Sequence, residues 1–444
     1  MSGAARERVA IVGTGISGLV VAHRLADTHD LTVFEAGEHV GGHTHTHDFE
    51  VDGVTHAVDS GFIVFNERTY PNFLALLQEL GVPWRASDMS FSVRDDRDGL
   101  EYNGTNPSGL FAQRRNLLRP RFWGMLRDTL RFYRGAHRYL EPEFATVTLG
   151  EVLRQEGFGR SFVEQHILPM GAAVWSSTTE GMLDFPIQTF ARFFHNHGFL
   201  QLRDRPQWLT VIGGSRAYID PITAPFADRI RTRTPIRRVR RRPEGGVEVE
   251  THAGELSTFD RVVLACHSDQ ALALLESPTA EERKILGAIP YQPNDVTIHT
   301  DTSILPRARR AWSSWNVRID PGDGPESRLR ATYWMNRLQG LEAPVDFLVT
   351  LNDADGIDPS RVLRRLQYSH PLFTPEGIAA QGRHGEIDGV GGVHFCGAYW
   401  GYGFHEDGVK SALAVLARIP GGRDGSTAAP AIEVETRERS EEAA

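Results

Sequence analysis

Two short apolar runs near the start of the chain flank a segment with helical periodicity. Residues 9–12 are four consecutive apolar residues, which is typical of a buried parallel strand. Residues 16–26 predict a helix, and residues 31–34 predict a second strand. Because strand, helix and strand follow one another within about 27 residues, the pattern predicts a βαβ unit.

Further strand-like runs return much later in the chain. They lie at residues 247–250, 261–265 and 393–396, and the first follows the turn signal Glu244-Gly245-Gly246. Between them, one stretch is helix-like and rich in aromatics and arginine, and another mixes Trp and Tyr with strand-like runs such as 347–351. The sequence therefore predicts an α/β protein with a discontinuous Rossmann-like domain and a second, α+β domain. We expect the first domain in 1–104, 206–291 and 389–420, the second in 105–205 and 292–388, and a disordered tail over 421–444.

Bulk composition narrows the class of protein. A chain of 444 residues with 40% apolar and 24% charged residues is expected to form two globular domains. It contains no run of about 18 apolar residues and no secretory signal pattern. The net charge of −9 argues against nucleic-acid binding. Cys266 and Cys396 are expected to be buried free thiols, which fits a reducing cytoplasmic location, although a disulfide or a reactive thiol stays open.

A glycine fingerprint follows the first strand. Gly13 permits a tight turn, Gly15 lets the backbone approach a pyrophosphate, and Gly18 allows close packing of helix on strand. The helix starting near Ile16 then points its first amides at that pyrophosphate. Glu35 lies 22 residues after Gly13, where a carboxylate accepts hydrogen bonds from ribose hydroxyls and repels a 2′-phosphate. These residues predict a dinucleotide site that disfavours NADP.

Later motifs extend this fingerprint in order along the chain. A second glycine pair, Gly41-Gly42, is followed by Asp59-Ser60-Gly61 and by Gly213-Gly214-Ser215, with Tyr218 downstream. Near the end come Gly397-Ala398-Tyr399 and Glu406-Asp407-Gly408-Val409. Together they resemble the amine oxidase and phytoene desaturase superfamily of flavoproteins.

The resemblance implies bound FAD and assigns the residues that contact it. In that superfamily the second glycine of the closing motif opens a helix whose amides face the flavin, a role that fits Gly408 and residues 409–416. The implied cofactor contacts are Gly13, Gly15, Ile16, Ser17, Gly18, Glu35, Ala36, Gly41, Gly42, His43, Thr44, Asp59, Gly61, Val239, Ala265, Gly397, Ala398, Asp407, Gly408 and Val409.

Four features depart from the pattern of the superfamily. His43 stands where arginine is usual, and Ala398 stands where an acid is usual. Neither Lys284 nor Lys410 lies in the segment where many amine oxidases place a lysine that holds water near the flavin. Cys396 precedes the loop in which a cysteine could attach the flavin, so we expect non-covalent FAD.

Aromatic residues before the closing helix are the candidate catalytic group. Tyr399, Trp400 and Tyr402 are expected to wall the substrate, and His405 is the candidate proton-handling group. Packing of the domain interface is the competing interpretation. Residues 193–197 and 169–175 are expected to line the substrate domain, whereas for Trp312, Trp315 and Trp334 core packing is equally consistent.

Two polar patterns carry further alternatives. His43, His45 and His47 alternate, so in an extended chain they share one face and could bind a metal, but polar contacts to cofactor and loop are favoured and no metal is predicted. Residues 113–134 hold seven arginines and one acid interleaved with large apolar residues. Such a segment is typical of a peripheral contact with the inner face of a membrane or of a solvated domain face.

The way in which the flavin would be reduced and reoxidised indicates the class of enzyme. With one glycine fingerprint and no C-x-x-C pair, an oxidase or desaturase reoxidised by oxygen or a quinone fits better than a reductase fed by NAD(P)H. The resemblance favours an apolar small molecule or lipid, fatty-acyl or isoprenoid, as substrate. An amine or amino-acid oxidase, and a flavin-binding partner protein without turnover, remain alternatives.

Overall fold

The structure is a computed structural model that describes residues 6–175, 177–201, 205–324 and 326–421. The predicted disordered tail lies outside the described residues from position 422 onward. Within the described residues, two bodies of structure are built around two different sheets.

A five-stranded parallel sheet forms the centre of the first body. Its spatial order is β10 (Ile230–Arg231), β2 (Asp30–Phe34), β1 (Arg8–Val12), β14 (Arg261–Leu264) and β20 (Val393–Phe395). All four pairings are parallel, with Ile11 opposite Val33 on one side and opposite Val263 on the other. Since both faces of the sheet are covered, residues 9–12 of β1, 262–264 of β14 and 393–395 of β20 are continuously buried instead of alternating between buried and exposed.

Two helices from opposite ends of the chain pack together beside this sheet. They are α1 (Ile16–Leu25) and α16 (His405–Leu416). Eight of the ten residues of α1 are buried, because α1 lies between the sheet and α16. The first body therefore depends on both ends of the sequence.

Smaller sheets complete the first body. A meander is formed by β11 (Ile236–Arg241), β12 (Val247–Thr251) and β13 (Leu256–Phe259), and a hairpin by β3 (Thr46–Val51) and β4 (Val54–Asp59). A third sheet contains β5 (Phe65–Asn66), β9 (Trp208–Val211) and β6 (Trp84–Ser87).

A seven-stranded sheet forms the second body. Its order is β19 (Val362–Pro371), β15 (Tyr291–His299), β18 (Leu348–Leu351), β17 (Arg330–Trp334), β16 (Trp315–Ile319), β7 (Phe91–Asp95) and β8 (Leu100–Asn103). Its pairings are antiparallel except that of β7 with β16. A helical cluster packs with it around a shared apolar core.

The remaining helices are shorter than α1, except α4 and α9. The cluster contains α3 (Pro107–Leu110), α4 (Pro120–Gly135), α5 (Leu149–Gln155), α6 (Arg160–Phe162), α7 (Leu168–Trp175), α8 (Thr179–Leu183) and α9 (Ile187–Asn196). Elsewhere lie α2 (Pro71–Glu79), α10 (Ile219–Thr223), α11 (Ser268–Leu274), α12 (Ala280–Leu286), α13 (Met335–Gln339), α14 (Pro375–Gln381) and α15 (His384–Ile387). Among the residues that the structure describes, no helix is both long and apolar enough to cross a bilayer.

The predicted α/β class, with a discontinuous Rossmann-like domain and a second domain, is confirmed. Two details differ from the sequence expectation. The closing helix begins at His405, three residues before Gly408. In addition, β7 and β8 fall in the segment expected to belong to the first domain but pair within the seven-stranded sheet, because their partner β16 lies more than 200 residues later. We therefore propose that the first segment of the second domain begins near residue 90 instead of 105.

Candidate active site

The glycine turn after β1 is shaped by contacts that only glycine permits. Gly13 has a φ of +107°, and a Cβ there would lie 2.7 Å from the Ala265 carbonyl oxygen. A Cβ on Gly18 would lie 2.1 Å from the Gly13 carbonyl oxygen. Both glycines are thus required by the protein's own packing.

Gly15 differs from these two. A Cβ on Gly15 would meet no described heavy atom within 4 Å, and its φ of −64° suits any residue. It is also the N-cap of α1 and supplies no side-chain acceptor, so the first amides of the helix, including those of Ile16 and Ser17, are open to a ligand. A helix N-terminus left open in this way binds anionic groups such as a pyrophosphate.

Glu35 lies at the end of β2, beside the same turn. Its carboxylate accepts hydrogen bonds from the Thr14 amide at 3.1 Å and the Gly37 amide at 2.9 Å. These bonds fix the carboxylate at the mouth of the turn, with lone pairs left for the ribose hydroxyls that the sequence analysis assigned to it. Ala36, next in the chain, is exposed.

The second glycine pair folds back onto the first turn. A Cβ on Gly42 would lie 3.0 Å from the Cα of Gly15, and the Gly41 amide donates to the Thr14 hydroxyl at 3.3 Å. Both glycines have positive φ, +134° and +59°. The two glycine motifs, distant in sequence, therefore form one backbone surface.

His43 follows this pair and carries an unsatisfied polar atom. Its Nε2 is buried and has no hydrogen-bond partner within the described part of the chain. The ring lies 4.9 Å from Tyr368, 5.6 Å from His370 and 6.3 Å from His267, centroid to centroid. Burial and the neighbouring imidazoles hold the pKa of His43 well below its usual value, so the ring is neutral. A buried neutral donor or acceptor without a partner fits a site completed by a cofactor.

The closing helix meets the first helix at Gly408. A Cβ on Gly408 would lie 2.7 Å from Ile16 Cγ2 and 2.9 Å from Ser17 Oγ, so the starts of α16 and α1 touch. Val409 is buried beside them. At the end of β20 the Gly397 amide donates to Ser411 Oγ at 2.9 Å, and Ala398 begins a single 3₁₀ turn. The geometry thus gathers the predicted cofactor residues of both ends of the chain.

His405, the first residue of α16, is buried among protein side chains. Its Nε2 hydrogen-bonds with the Thr44 hydroxyl and with the Tyr218 hydroxyl, both at 3.0 Å, and Thr44 and Tyr218 also bond each other. The ring stacks on Phe62 at 3.6 Å. Burial lowers the pKa of His405 to about 3. The geometry does not support the predicted proton-handling role, because the imidazole stays neutral near pH 7 and its Nε2 is engaged.

Two of the predicted cofactor carboxylates bind the protein itself. Asp59 accepts hydrogen bonds from the Ser215 amide and hydroxyl and from Gln339 Nε2, and burial raises its pKa to about 6. Asp407 accepts from the Tyr402 and Phe404 amides at 3.0 and 3.1 Å, and burial raises its pKa to about 6. Both residues shape the loops around the site instead of presenting a free carboxylate to a ligand.

Three further residues that were predicted to contact the cofactor make their contacts through the backbone or inside the apolar core. Gly61 is required because a Cβ there would lie 2.2 Å from the His43 carbonyl oxygen. Ala265 donates its amide to the Val12 carbonyl and turns its own carbonyl to Gly13. Val239 is buried in β11 among side chains that include Val12.

The aromatic loop of residues 399–404 joins the two bodies. Tyr402 and Phe404 lie 5.5 and 5.2 Å from Phe193 of α9, and Trp175 of α7 lies 4.8 Å from Phe193. Tyr402 and Phe404 are only half-buried. The segments predicted to line the substrate domain therefore do meet the loop that precedes the closing helix.

The other predicted aromatics pack elsewhere. Tyr399 is buried against the Gly397 backbone, and the Trp400 ring lies 4.3 Å from His384. The rings of Trp312 and Trp334 pack on each other with centroids 5.4 Å apart, in agreement with the core-packing interpretation of these two residues. Of the predicted catalytic group, only Tyr402 is placed at the junction with the second domain.

The alternating histidines separate into two groups. His45 and His47 have ring centroids 4.0 Å apart, and His39 stacks on His45 at the same distance. His43 precedes β3, and its ring turns towards His267 and His370 instead. Among the described residues, no group of three His, Cys, Asp or Glu side chains is arranged to hold a metal ion.

Sequence reasoning missed His267 and His370. They come from the start of α11 and the end of β19, and neither forms part of a local motif. For His267 a signal was available. It follows β14, and residues that follow a strand of the parallel sheet reach the same edge as the glycine turn.

This fold and this site define an FAD-dependent oxidoreductase. The family model described as flavin containing amine oxidoreductase matches residues 16–345, and the chain belongs to that family. FAD is accordingly its cofactor, as the sequence resemblance implied.

Solved structures of known enzymes share the fold. A putrescine oxidase has a TM-score of 0.64 at 16% identity, with 93% of this chain and 100% of that one covered. A cyclohexylamine oxidase from Brevibacterium oxydans has a TM-score of 0.64 at 17% identity, with 93% and 99% covered. A fatty acid isomerase from P. acnes has a TM-score of 0.64 at 15% identity, with 93% and 98% covered.

One curated relative matches a short stretch of sequence. A tryptophan 2-monooxygenase of Agrobacterium vitis is 51% identical over 47 residues, which are 10% of this chain and 6% of that protein. The match thus spans a small fraction of the relative's length.

Proposed function

We propose that this FAD-dependent oxidoreductase oxidises or desaturates a C–H bond in a largely apolar substrate, a fatty-acyl or isoprenoid lipid. The observation that carries this proposal is the aromatic junction of Tyr402 and Phe404 with Phe193 and Trp175. Half-buried aromatic walls gain free energy when an apolar substrate covers them.

The carboxylates beside the junction support an apolar substrate over a cationic one. Asp407 accepts from two loop amides, and Glu406 accepts from the Asn72 side chain at 2.6 Å and the Phe73 amide at 3.0 Å. A free carboxylate is the strongest partner for an ammonium group that leaves water. Both carboxylates are already engaged in the protein.

The lysines support the same preference. Lys410 lies on α16 with an exposed side chain 3.8 Å from Glu406, and Lys284 is exposed on α12. Neither reaches the junction, so the lysine-held water of many amine oxidases has no counterpart at these two positions.

FAD, when bound, supplies the acceptance of a hydride from carbon and the onward transfer of electrons. The chain contributes the placement: the open amides at the start of α1, Glu35 and the Gly41-Gly42 pair hold the cofactor, and His43 completes a polar contact to it. Tyr402 and Phe404 orient the substrate and exclude water from it. We propose oxygen or a quinone as the electron acceptor.

Amine oxidation is the second candidate. It is supported by the names of the proteins that share the fold or a stretch of sequence, a putrescine oxidase, a cyclohexylamine oxidase and a tryptophan 2-monooxygenase. The fatty acid isomerase of the same fold supports the lipid candidate in the same way.

Anaerobic bleaching of the flavin tests the two candidates in parallel. The FAD-loaded protein is mixed with lipid extracts in one series and with amines in the other, and loss of the oxidised flavin band is followed. We expect bleaching by a lipid fraction and slower bleaching in Tyr402→Leu, with Tyr402→Phe retaining the rate. Bleaching by an amine, with ammonia and hydrogen peroxide released in air, would replace the lipid proposal.

We also propose a cytoplasmic location. Cys266 and Cys396 are both free in the structure, and burial raises the pKa of Cys266 to about 12, so the thiols are neutral and unreactive. Free buried thiols are typical of proteins in a reducing compartment.

A further inference from the structure

The arginine-rich segment ends in an apolar tip that points into solvent. Leu118 is 87% exposed, Trp123 is 49% exposed and Leu117 is 46% exposed. Eight large hydrophobic side chains are exposed in the described residues, and three of them fall within this stretch of seven residues, including the most exposed of all. A concentration of exposed large apolar side chains marks a surface that contacts something other than water.

The tip is held in place by the local fold. Trp123 Nε1 donates to the Leu117 carbonyl at 2.9 Å, which joins the 3₁₀ turn Arg114–Leu118 to the first turn of α4. The opposite face of α4 buries Phe122, Met125 and Phe132 in the core of the second domain. The helix is therefore anchored through one face, and Leu117, Leu118 and Trp123 are presented rigidly.

Arginines surround the tip and continue along the outer face of α4. Arg114, Arg115, Arg121, Arg127, Arg131 and Arg134 are exposed. Arg127 and Arg131 lie 3.5 and 3.6 Å from Asp128 Oδ1, whereas Arg114, Arg121 and Arg134 form no ion pair within the described chain. The whole chain carries a net charge of −9, so this is a local positive surface on an acidic protein.

The same face has apolar side chains between its arginines. Leu126 and Leu130 are half-buried and, with Trp123, Arg131 and Arg134, line a surface groove of about 760 Å³. A helix face of this type, with Trp and Leu among arginines, lies at the boundary between lipid headgroups and acyl chains. In such helices the arginines pair with phosphates while the apolar side chains enter the bilayer.

We propose that this surface, formed by Leu117, Leu118, Trp123 and the exposed arginines of residues 114–134, docks the enzyme on an anionic phospholipid membrane. Charge complementarity favours an anionic membrane over a second copy of the chain as the partner of this surface. A symmetric contact with a second copy would bring arginines against arginines, which costs free energy. A nucleic acid would engage the arginines but leave Leu118 and Leu117 in water.

The proposal does not depend on which bond the enzyme oxidises. Its readout is binding to vesicles, so failure of the lipid-substrate proposal and failure of membrane docking are separate results. If both hold, the surface brings the enzyme to the phase that contains its substrate.

Vesicle flotation of the FAD-loaded protein tests the proposal. The probes are vesicles of phosphatidylcholine mixed with phosphatidylglycerol, and vesicles of phosphatidylcholine alone. We expect flotation with the anionic vesicles only, and release in about 1 M salt, where the screening length falls to about 3 Å. No flotation with anionic vesicles, or equal flotation with neutral ones, would overturn the proposal.

Matched variants identify the surface. Arg114→Gln/Arg121→Gln/Arg134→Gln removes three charges and is expected to weaken partitioning by on the order of 100-fold. Arg283→Gln/Arg310→Gln/Arg365→Gln removes three exposed arginines outside the segment and is expected to bind like the wild type. Leu118→Ser is expected to weaken partitioning about tenfold.

Equal loss in both triple variants would show a general charge effect and overturn the assignment. A dimer in solution that Leu118→Ser converts to monomer would assign the surface to a second copy instead. Because all substituted side chains are largely exposed, FAD content and the melting temperature are expected to match the wild type, and both are measured alongside.

Discussion

His405 Nε2 lies 3.0 Å from the Thr44 hydroxyl, so the closing helix is joined to the loop that follows the glycine pair. The bond is buried, and Tyr218 contacts both partners. A loop expected to contact the cofactor is thus held by a residue that sequence chemistry favoured as a catalyst. His405 is better described as a positioning residue for the site.

Thr44→Val tests this connection. The substitution keeps the volume but removes the hydroxyl, leaving a buried polar group short of a partner at a cost of about 1–3 kcal/mol. We expect a lower free energy of unfolding in urea and weaker FAD retention. Thr46→Val is not a suitable control because Thr46 bonds Asp59, whereas Thr69→Val, in a part-buried turn, provides one.

Stability is expected to fall between pH 6.5 and pH 5. Burial lowers the pKa of ten histidines below the ordinary value of 6.5: His29, His43, His45, His47, His166, His197, His267, His299, His370 and His405. As the pH falls through 6.5 the unfolded chain binds protons that the folded chain does not, so unfolding becomes more favourable.

Four carboxylates act in the opposite direction. Burial raises the pKa of Asp59 and Asp407 from 3.8 to about 6 and also raises the pKa of Asp353 and Glu406, so the folded chain binds these protons first as the pH falls. Ten histidines outweigh four carboxylates. The melting temperature measured by scanning fluorimetry should therefore decrease from pH 6.5 to pH 5, and a constant or rising value would contradict this balance.

Gly15→Ala and Gly18→Ala separate cofactor binding from folding. The added Cβ on Gly15 meets open space, so we expect an unchanged fold and an FAD dissociation constant raised at least about tenfold. The Cβ on Gly18 meets the Gly13 carbonyl oxygen, so we expect a loss of stability of about 1–3 kcal/mol. Circular dichroism and flavin fluorescence measure both, and Gly104→Ala, at a position with open space around it, serves as the control.

His43→Ala is expected to weaken FAD binding and to leave the fold intact. Since His43 Nε2 has no partner in the described chain, its removal costs the protein no hydrogen bond of its own from that atom. We expect an FAD dissociation constant raised about tenfold and a shifted flavin absorption band, with little change in the melting temperature of the FAD-free protein. An unaltered dissociation constant would remove His43 from the proposed cofactor contacts.

Asp59→Asn is expected to destabilise the link between the two bodies. The amide cannot accept from Ser215 and Gln339 together as the carboxylate does, so one buried donor loses its partner at about 1–3 kcal/mol. Urea unfolding should show this loss. Ser215→Ala removes a smaller part of the same network and should show a smaller effect.

The sequence predicted the parts of the site that local geometry dictates. Gly13 is required by its positive φ in the turn, and Gly18 by its contact with the Gly13 carbonyl, so their spacing within one βαβ unit identifies the turn. His267 and His370 reach His43 only through β14 and β19, and no local pattern predicts such a meeting. The same reason explains the domain boundary, since the pairing of β7 with β16 depends on the tertiary fold.

Burial was the other quantity that the sequence could not supply. His405 follows an aromatic run and has the chemistry of a proton donor, yet Phe62, Thr44 and Tyr218 enclose it. The exposed tip at Leu118 shows the opposite case, because an amphipathic pattern predicts a buried leucine as readily as an exposed one.

The order of elements along the chain also separates the two halves of the site during synthesis. β1 and β2 are made well before β20 and α16, which begin at Val393 and His405. The turn at Gly13 to Gly18 therefore lacks its neighbour Gly408 until α16 has been synthesised. A nascent chain stalled before residue 393 is expected to carry this glycine turn without the closing helix and to retain FAD poorly.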